Sequence, residues 1–362
     1  MSFGPRKSQI ANMKAVQLIA HGQPGTFELR EVPDPKPRAG EAVVEVQACG
    51  LNHLDLWLEQ GALPIPLELP RTPGGEIAGR VLEVAGDVPH WGPGDEVAVQ
   101  SNLFCGRCPY CQRGEESMCL QPILLGVQHD GGFAERVCVP ERALVRLPAG
   151  VDFRTSAALT LAGSSAMHML TNRAQVHRGD WVLVTGAASG VGSAAIQIAR
   201  HLGGRVIATA SSEAKRALAR QLGAEFVLDS TDARWPAEVR RITNKHGADL
   251  VVEHIGGEVL LQVFDCLSRG GLVVTCGATA GDTVPLKLWP FFVKQHRLVG
   301  SYSRNRADLT AVLDWAAAGK LKAVIHAVFP LDRTAEAFAS LRARTVVGKV
   351  LVEPFEPEAE SD

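Results

Sequence analysis

Trp181-Val182-Leu183-Val184-Thr185-Gly186-Ala187-Ala188-Ser189-Gly190-Val191-Gly192 is the stretch that decides the fold. Its apolar opening reads as a short strand buried on both faces. Glycines then allow a tight turn, and the pattern over 190–202 reads as a helix. A strand that passes through such a turn into a helix offers free backbone amides and a positive dipole end, which together favour a pyrophosphate. The candidate cofactor-binding residues are Gly186, Ala187, Ser189, Gly190, Val191 and Gly192. The alternation continues, with strands predicted at 205–209, 226–228, 250–252, 272–275 and 298–300 and a helix at 213–222. Short apolar strands alternating with helices predict an α/β fold, a doubly wound parallel sheet that binds a dinucleotide.

Upstream the texture differs. Residues 42–48, 80–84 and 96–99 are rich in valine and alternate, and Gly86-Asp87 and Gly92-Pro93-Gly94-Asp95 are turn signals. This first part reads as mostly β. Within it lie Cys105, Cys108, Cys111 and Cys119, spaced C-x2-C-x2-C-x7-C. Four thiols this close read as a tetrahedral zinc site, in preference to free thiols or two disulfides. A four-sulfur site has no open position for substrate, so the expected zinc is structural. Strand-like runs at 327–331 and 350–352 flank one more helix and are expected to pack back on the first domain, leaving the active site in the cleft between the two domains.

Composition narrows the setting. The chain has 362 residues, enough for two domains with substantial cores. Thirty-seven basic residues against thirty-nine acidic ones leave a net charge of −2, which implies neither nucleic acid nor an anionic membrane as partner. No apolar run reaches membrane-spanning length, and the N-terminus does not have the order of a signal peptide. Cys49, Cys138, Cys266 and Cys276 are scattered singly through apolar stretches and read as buried thiols in a reducing cytoplasm. Residues 1–12 read as a flexible extension and 356–362 as an acidic tail.

The end of the second strand of the parallel sheet bears on the cofactor. NAD sites place an acid there to hold the ribose hydroxyls. Here Ala210 or Ser211 stands at that position, and Lys215 and Arg216 follow within a turn. The expectation is therefore NADP(H) in preference to NAD(H), with Lys215 facing the 2′-phosphate.

With both halves in view, the chain resembles the medium-chain dehydrogenase/reductase superfamily over 13–355. The cysteine quartet, the nucleotide turn and Gly348-Lys349-Val350 occur in that family's order. The local turn alone also fits the T-G-x-x-x-G-x-G pattern of short-chain dehydrogenases. The resemblance implies a GroES-like catalytic domain over 13–158 and 303–355, with a zinc lobe at about 100–120. It implies a Rossmann cofactor domain over 159–302. It also implies Ser165 near the nicotinamide carboxamide, His53 near the pyrophosphate and Gly277 by the nicotinamide ring. Leu58, Leu63, Trp289 and Phe291 are expected, by the same analogy, near the substrate. Relatives pair through the cofactor domain, so a homodimer or homotetramer is expected.

Departures from the family pattern bear on the chemistry. Zinc alcohol dehydrogenases take their first catalytic ligand from the Cys of G-x-C-x-x-D, and this chain has Asn52 there, with Asp55 after it. The second ligand, the His of G-H-E, is replaced by Gly75 before Glu76, and residues 157–165 contain no cysteine for the third. In these features the chain resembles the quinone oxidoreductase branch. The resemblance implies reduction of quinones or α,β-unsaturated carbonyls by hydride transfer without a catalytic metal. Asn52 would donate to the substrate carbonyl and Asp55 would orient its loop. The alternative is an alcohol dehydrogenase with an improvised zinc site drawn from Cys49, His53, Asp55 or Glu76. His254 reads as a core histidine, and Lys349 is as consistent with a surface charge as with a cofactor contact.

Overall fold

The computed structural model describes residues 12–86 and 88–355. The acidic tail and all but the last residue of the N-terminal extension lie outside the described residues, as does Asp87 of the first turn signal.

β1 (Asn12–Ala20) and β2 (Thr26–Pro33) form an antiparallel pair. β3 (Glu41–Leu51), β4 (Glu76–Val84), β5 (Glu96–Val99), β6 (Asn102–Leu103), β7 (Ile123–Leu124), β8 (Arg136–Pro140) and β9 (Leu144–Arg146) follow. β3 is the spine of this part. Val44, Val46, Ala48 and Cys49 are all fully buried, so it packs on both faces. Burying a valine-sized side chain is worth roughly 1.5–3 kcal/mol, which is why the alternating valines of β3 and β4 commit to this sheet. The parallel sheet comprises β10 (Trp181–Val184), β11 (Arg205–Ala210), β12 (Phe226–Asp229), β13 (Ala248–Glu253), β14 (Leu267–Thr275) and β15 (Arg297–Gly300). β16 (Ile325–Pro330) and β17 (Lys349–Glu353) then return to the first sheet, which runs β16-β17-β3-β4-β5-β9 with β8 also on β3.

The six parallel strands are ordered β12-β11-β10-β13-β14-β15. The order reverses between β10 and β13, and a doubly wound sheet binds its ligand at the crevice that opens there. Helix Gly190–His201 leaves that point with Ala194, Ala195, Ile196, Ile198 and Ala199 buried. Helix Arg306–Ala317 touches both domains. Its Val312 joins the apolar cluster around the parallel sheet, while Leu309 and Leu313 pack with Val145, Leu147 and Val151 of the first part.

Two registers matter most for the site. Gly50 of β3 faces Glu76 of β4, and Leu51 faces Val350 of β17. Asn52, Glu76 and Lys349 therefore meet at the ends of three adjacent strands. The nucleotide turn is tied to the same place, because Gly348 N donates to Ala188 O at 2.7 Å.

Candidate active site

The turn after β10 is built for close approach. Gly186 has φ +57°, and a Cβ at Gly192 would lie 2.3 Å from Gly186 O, so no side chain fits between turn and helix. Ser189 caps the helix by accepting from Gly192 N at 2.9 Å, and its hydroxyl also meets His254 Nε2 at 2.8 Å. Burial pulls the His254 pKa down to about 4, so the ring is neutral at physiological pH. These features fit the pyrophosphate of a dinucleotide at a helix N-terminus. The Ser189 contact makes His254 part of this turn.

Beside the turn lies a buried polar cluster. Lys349 Nζ donates to Leu51 O at 2.7 Å and to Asn52 Oδ1 at 2.7 Å, and it pairs with Glu76 Oε2 at 2.6 Å. The other Glu76 oxygen accepts from Leu161 N at 2.6 Å and Ala162 N at 3.1 Å. Asn52 Nδ2 donates to Glu76 Oε2 at 3.0 Å and Gly50 O at 3.3 Å. Asp55 accepts from Asn52 N at 2.8 Å and Gly74 N at 3.3 Å, completing a capping box on helix His53–Gln60. Burial pushes the Asp55 carboxyl up to about 6. These contacts change two readings. The amide hydrogens of Asn52, expected on a substrate carbonyl, are spent inside the protein, and Lys349 is a buried clamp that ties the ends of β3 and β4 together beside Gly190 of the cofactor turn.

The donor set does not fit a catalytic zinc. Among the described residues, the only group of three or more histidine, cysteine or carboxylate atoms close enough to share an ion is the cysteine quartet. A Cβ at Gly75 would stand 2.7 Å from Leu125 O, so the second-ligand position has no room for an imidazole. Glu76 is engaged by Lys349, and Cys49 is fully buried with its thiol pKa raised by that burial.

The quartet is the opposite case. Its four sulfurs lie within 4.8 Å of one another, with Cys108–Cys111 at 3.5 Å and Cys105–Cys111 at 3.9 Å. Zn–S bonds of about 2.3 Å in a tetrahedron put sulfurs about 3.8 Å apart, so the set fits zinc. Backbone amides point at the sulfurs, Cys105 N and Gln121 N at Cys119 Sγ and Cys108 N at Cys105 Sγ. Backbone donors favour thiolates: those of Arg107 and Cys108 lower the Cys105 pKa, and those of Leu120 and Cys111 bring that of Cys108 down to about 6.

A cleft of about 480 Å³ opens between the domains, walled by Trp57, Met118, His168, Gly277, Ser301 and Tyr302 among others. His168 Nδ1 meets Asp308 Oδ2 at 2.7 Å in its buried wall. Gly277 is the one residue expected near cofactor or substrate that lines it. The four expected substrate contacts do not. Leu58 is fully buried, Leu63 and Phe291 are half-buried elsewhere, and Trp289 is 73% exposed on a surface helix. The analogy failed there because apolar residues carry no mark of which cavity they face. Ser165 is buried within helix Ala162–Met167, Ser211 is exposed at the end of β11, and His53 is exposed.

The sequence matches the family model described as "Zinc-binding dehydrogenase" over residues 190–318 and the "Alcohol dehydrogenase GroES-like domain" over 38–149. It is similar to two archaeal proteins named NAD-dependent alcohol dehydrogenase. That of Saccharolobus solfataricus is 32% identical over 94% of this chain and all of the relative, and that of Sulfurisphaera tokodaii is 30% identical over the same shares. A crystal structure of an NAD-dependent alcohol dehydrogenase superposes with a TM-score of 0.92 at 38% identity, over 95% of this chain and all of the other. These names overturn the expected NADP preference, and the local charges give a physical reason. Arg216 is held between Glu213 at 3.0 Å and Asp229 at 2.7 Å, while Lys215 Nζ donates to Arg344 O at 2.7 Å. The Arg216 charge is thus offset by two carboxylates, and the Lys215 ammonium is turned toward a backbone carbonyl.

Proposed function

The chain belongs to the medium-chain dehydrogenase/reductase superfamily and is a dehydrogenase/reductase, and from that premise we propose that it exchanges hydride between NAD(H) and a small carbonyl–alcohol pair. The observation that carries the proposal is full-length similarity to proteins named for that reaction. The cleft supports it, because Gly277 on its wall follows a strand of the nucleotide sheet and His168 supplies a titratable group beside it. The nicotinamide, when bound, supplies or accepts the hydride.

The protein's part is to bind, orient and move a proton. Gly186, Ala187, Ser189, Gly190, Val191 and Gly192 would hold the pyrophosphate at the helix N-terminus, and Gly277 would leave room for the ring. Asp55 and Asn52 would fix the end of β3 against Lys349, whose side chain lies beside Gly190 of the cofactor turn. A proton must accompany hydride in either direction, and His168, oriented by Asp308, is the group proposed to carry it at the cleft wall. Cys105, Cys108, Cys111 and Cys119 would hold one structural zinc.

The missing catalytic donors favour a second reading. Quinones and enones spread the incoming charge over a conjugated system and need no metal at the oxygen. A panel of simple aldehydes, ketones, enones and quinones with NADH and NADPH, plus alcohols with NAD+, separates the readings. Turnover of the simple carbonyls and alcohols with NAD(H) as preferred cofactor is expected. Turnover confined to quinones and enones would replace the first reading with the second.

Among the described residues, no helix is long and apolar enough to cross a membrane. The edge strand β15, with exposed Leu298, lies near a helix exposing Trp289 and Phe292. This supports self-association as a dimer or tetramer through the nucleotide domain.

A further inference from the structure

Arg173 is the one arginine or lysine that lines the cleft, and among the described residues no aspartate or glutamate lines it. Its Nε donates to Gly300 O at 3.0 Å, while its two NH2 groups make no hydrogen bond or ion pair among the described residues. A guanidinium is a planar fork of five donors that suits an oxyanion, and most of this one is unused. The acid behind the wall, Asp308, is taken up by His168 at 2.7 Å and Asn305 N at 2.8 Å. The buried Arg304, two residues beyond Tyr302 of the cleft wall, acts in the same direction as Arg173. Burial raises the Tyr302 phenol, and the Arg304 charge opposes that rise. The cleft therefore favours an anion.

The backbone is shaped to bring Arg173 there. His168–Arg173 form a π-helical turn, closed by Ala174 N donating to Met169 O at 2.9 Å. In an α-helix, with 3.6 residues per turn, His168 and Arg173 would project about 140° apart. The wider i→i+5 turn brings residues five apart toward one face, and both line the cleft. Such turns are rare and gather at functional sites. The contact with Gly300 sets the reach. Gly300 of β15 pairs with Thr275 of β14, two residues before Gly277. Adjacent strands lie about 4.8 Å apart and each residue adds about 3.3 Å, so the guanidinium stands several bond lengths from the ring proposed beside Gly277. Trp57, Met118 and Tyr302 line the same cleft, with Met118 and Tyr302 left 42% and 57% exposed. Large apolar side chains open to a cavity suit an apolar or aromatic body.

We propose that Arg173 is a specificity-determining residue that binds an oxyanion, a carboxylate or a phosphate, carried by the substrate several bonds from its carbonyl. The body between the two rests on Trp57, Met118 and Tyr302. This rests on the carbonyl–alcohol reading above and names its substrate class. The oxyanion stays bound and unchanged while hydride adds to the carbonyl carbon and a proton reaches the oxygen. 2-Oxo acids, whose carboxylate adjoins the carbonyl, are too short to span the two positions.

The test uses full-length, zinc-loaded wild type, Arg173→Met and Arg173→Lys with NADH and three aldehydes built on one ring: benzaldehyde, 4-carboxybenzaldehyde and 4-formylphenyl phosphate. Wild type should favour one charged aldehyde over benzaldehyde by at least about tenfold in kcat/KM, and which one it favours identifies the oxyanion. Losing a charged hydrogen-bond donor costs about 10–100-fold, so Arg173→Met should lose that much on the favoured aldehyde and less than about threefold on benzaldehyde. Arg173→Lys should recover part of the loss, because a point charge replaces the fork. A merely structural role would lower both substrates together. In wild type alone, added salt should erode the preference. Binding is read separately by calorimetry of benzoate and phenyl phosphate to NAD-saturated protein, and one of them should bind at least about tenfold more weakly to Arg173→Met. Arg173-dependent binding in a protein that reduces no aldehyde would refute the carbonyl–alcohol reading and keep the anion site. Reduction of all three aldehydes at like kcat/KM by wild type and Arg173→Met, with no Arg173-dependent binding, would overturn the inference and leave that reading standing.

Discussion

The cysteine lobe and the cleft occupy the two places where zinc dehydrogenases of this superfamily hold metal, and they have diverged in opposite directions. The lobe keeps four sulfurs at near-tetrahedral spacing with backbone amides aimed at them. At the second place, among the described residues, none of the usual donors gathers, and the buried Lys349 pairs with Glu76 instead. A four-sulfur site holds structure, so zinc bound there would hold the lobe folded. The two regions are also joined, since Ser117 and Glu116 of the lobe bind the backbone and side chain of Asn305–Arg306 beside Arg304.

The largest effect should come from the lobe. Cys108→Ser with Cys111→Ser removes binding energy on the order of 10 kcal/mol. Zinc content should fall to zero, limited trypsin should cut at Arg107 and Arg113, and turnover should collapse because Ser117 and Met118 of the lobe line the cleft. Retained activity in the zinc-free variant would break the proposed coupling.

Breaking the cleft's ion pair comes next. Lys349→Met leaves Glu76 buried and unpaired, which should cost about 3–5 kcal/mol in urea unfolding. Adding Glu76→Gln should recover most of that loss. If the single variant is as stable as wild type, the pair is not the clamp described here.

A smaller effect is expected from pH. His254 titrates near 4 in the fold against an ordinary value of 6.5. Above pH 6.5 both states are neutral and the group contributes no pH dependence. As pH falls from 6.5 toward 4, the unfolded chain takes up a proton that the fold refuses, so stability is lost. The full difference is about 3 kcal/mol. Acid unfolding of His254→Gln should be flatter across that window than wild type, and identical curves would remove His254 from the account. The smallest effect concerns the cofactor. Lys215→Ala should change the NADPH-to-NADH affinity ratio by no more than about twofold, because its ammonium sits on a backbone carbonyl at the surface. A large change would reopen the phosphate reading.

What the sequence disclosed follows from what is local. Val182-Leu183-Val184 and the glycines after them announce a strand, a turn and a helix, because burial and backbone freedom act within a few residues. The quartet is legible for the same reason, since three of its cysteines lie within seven residues. The cleft is assembled over long separations and was mostly illegible. Lys349 reaches Asn52 across 297 positions, and Arg304 reaches Ser101 across 203. No spacing rule connects such pairs, and an isolated lysine or arginine looks like surface charge. The Gly348-Lys349-Val350 motif pointed to Lys349, although not to its partner. Lys215 and Arg216 misled because sequence shows a cation without the carboxylate that neutralises it, and Asp229 lies on the neighbouring strand.

Whether the cleft works without a metal is decided by zinc stoichiometry from plasma mass spectrometry on fully active, extensively dialysed protein, with turnover measured on the same sample. One zinc per chain is expected, lost together with the lobe's cysteines. Two zincs per chain, one of them surviving the cysteine substitutions and tracking with activity, would contradict it.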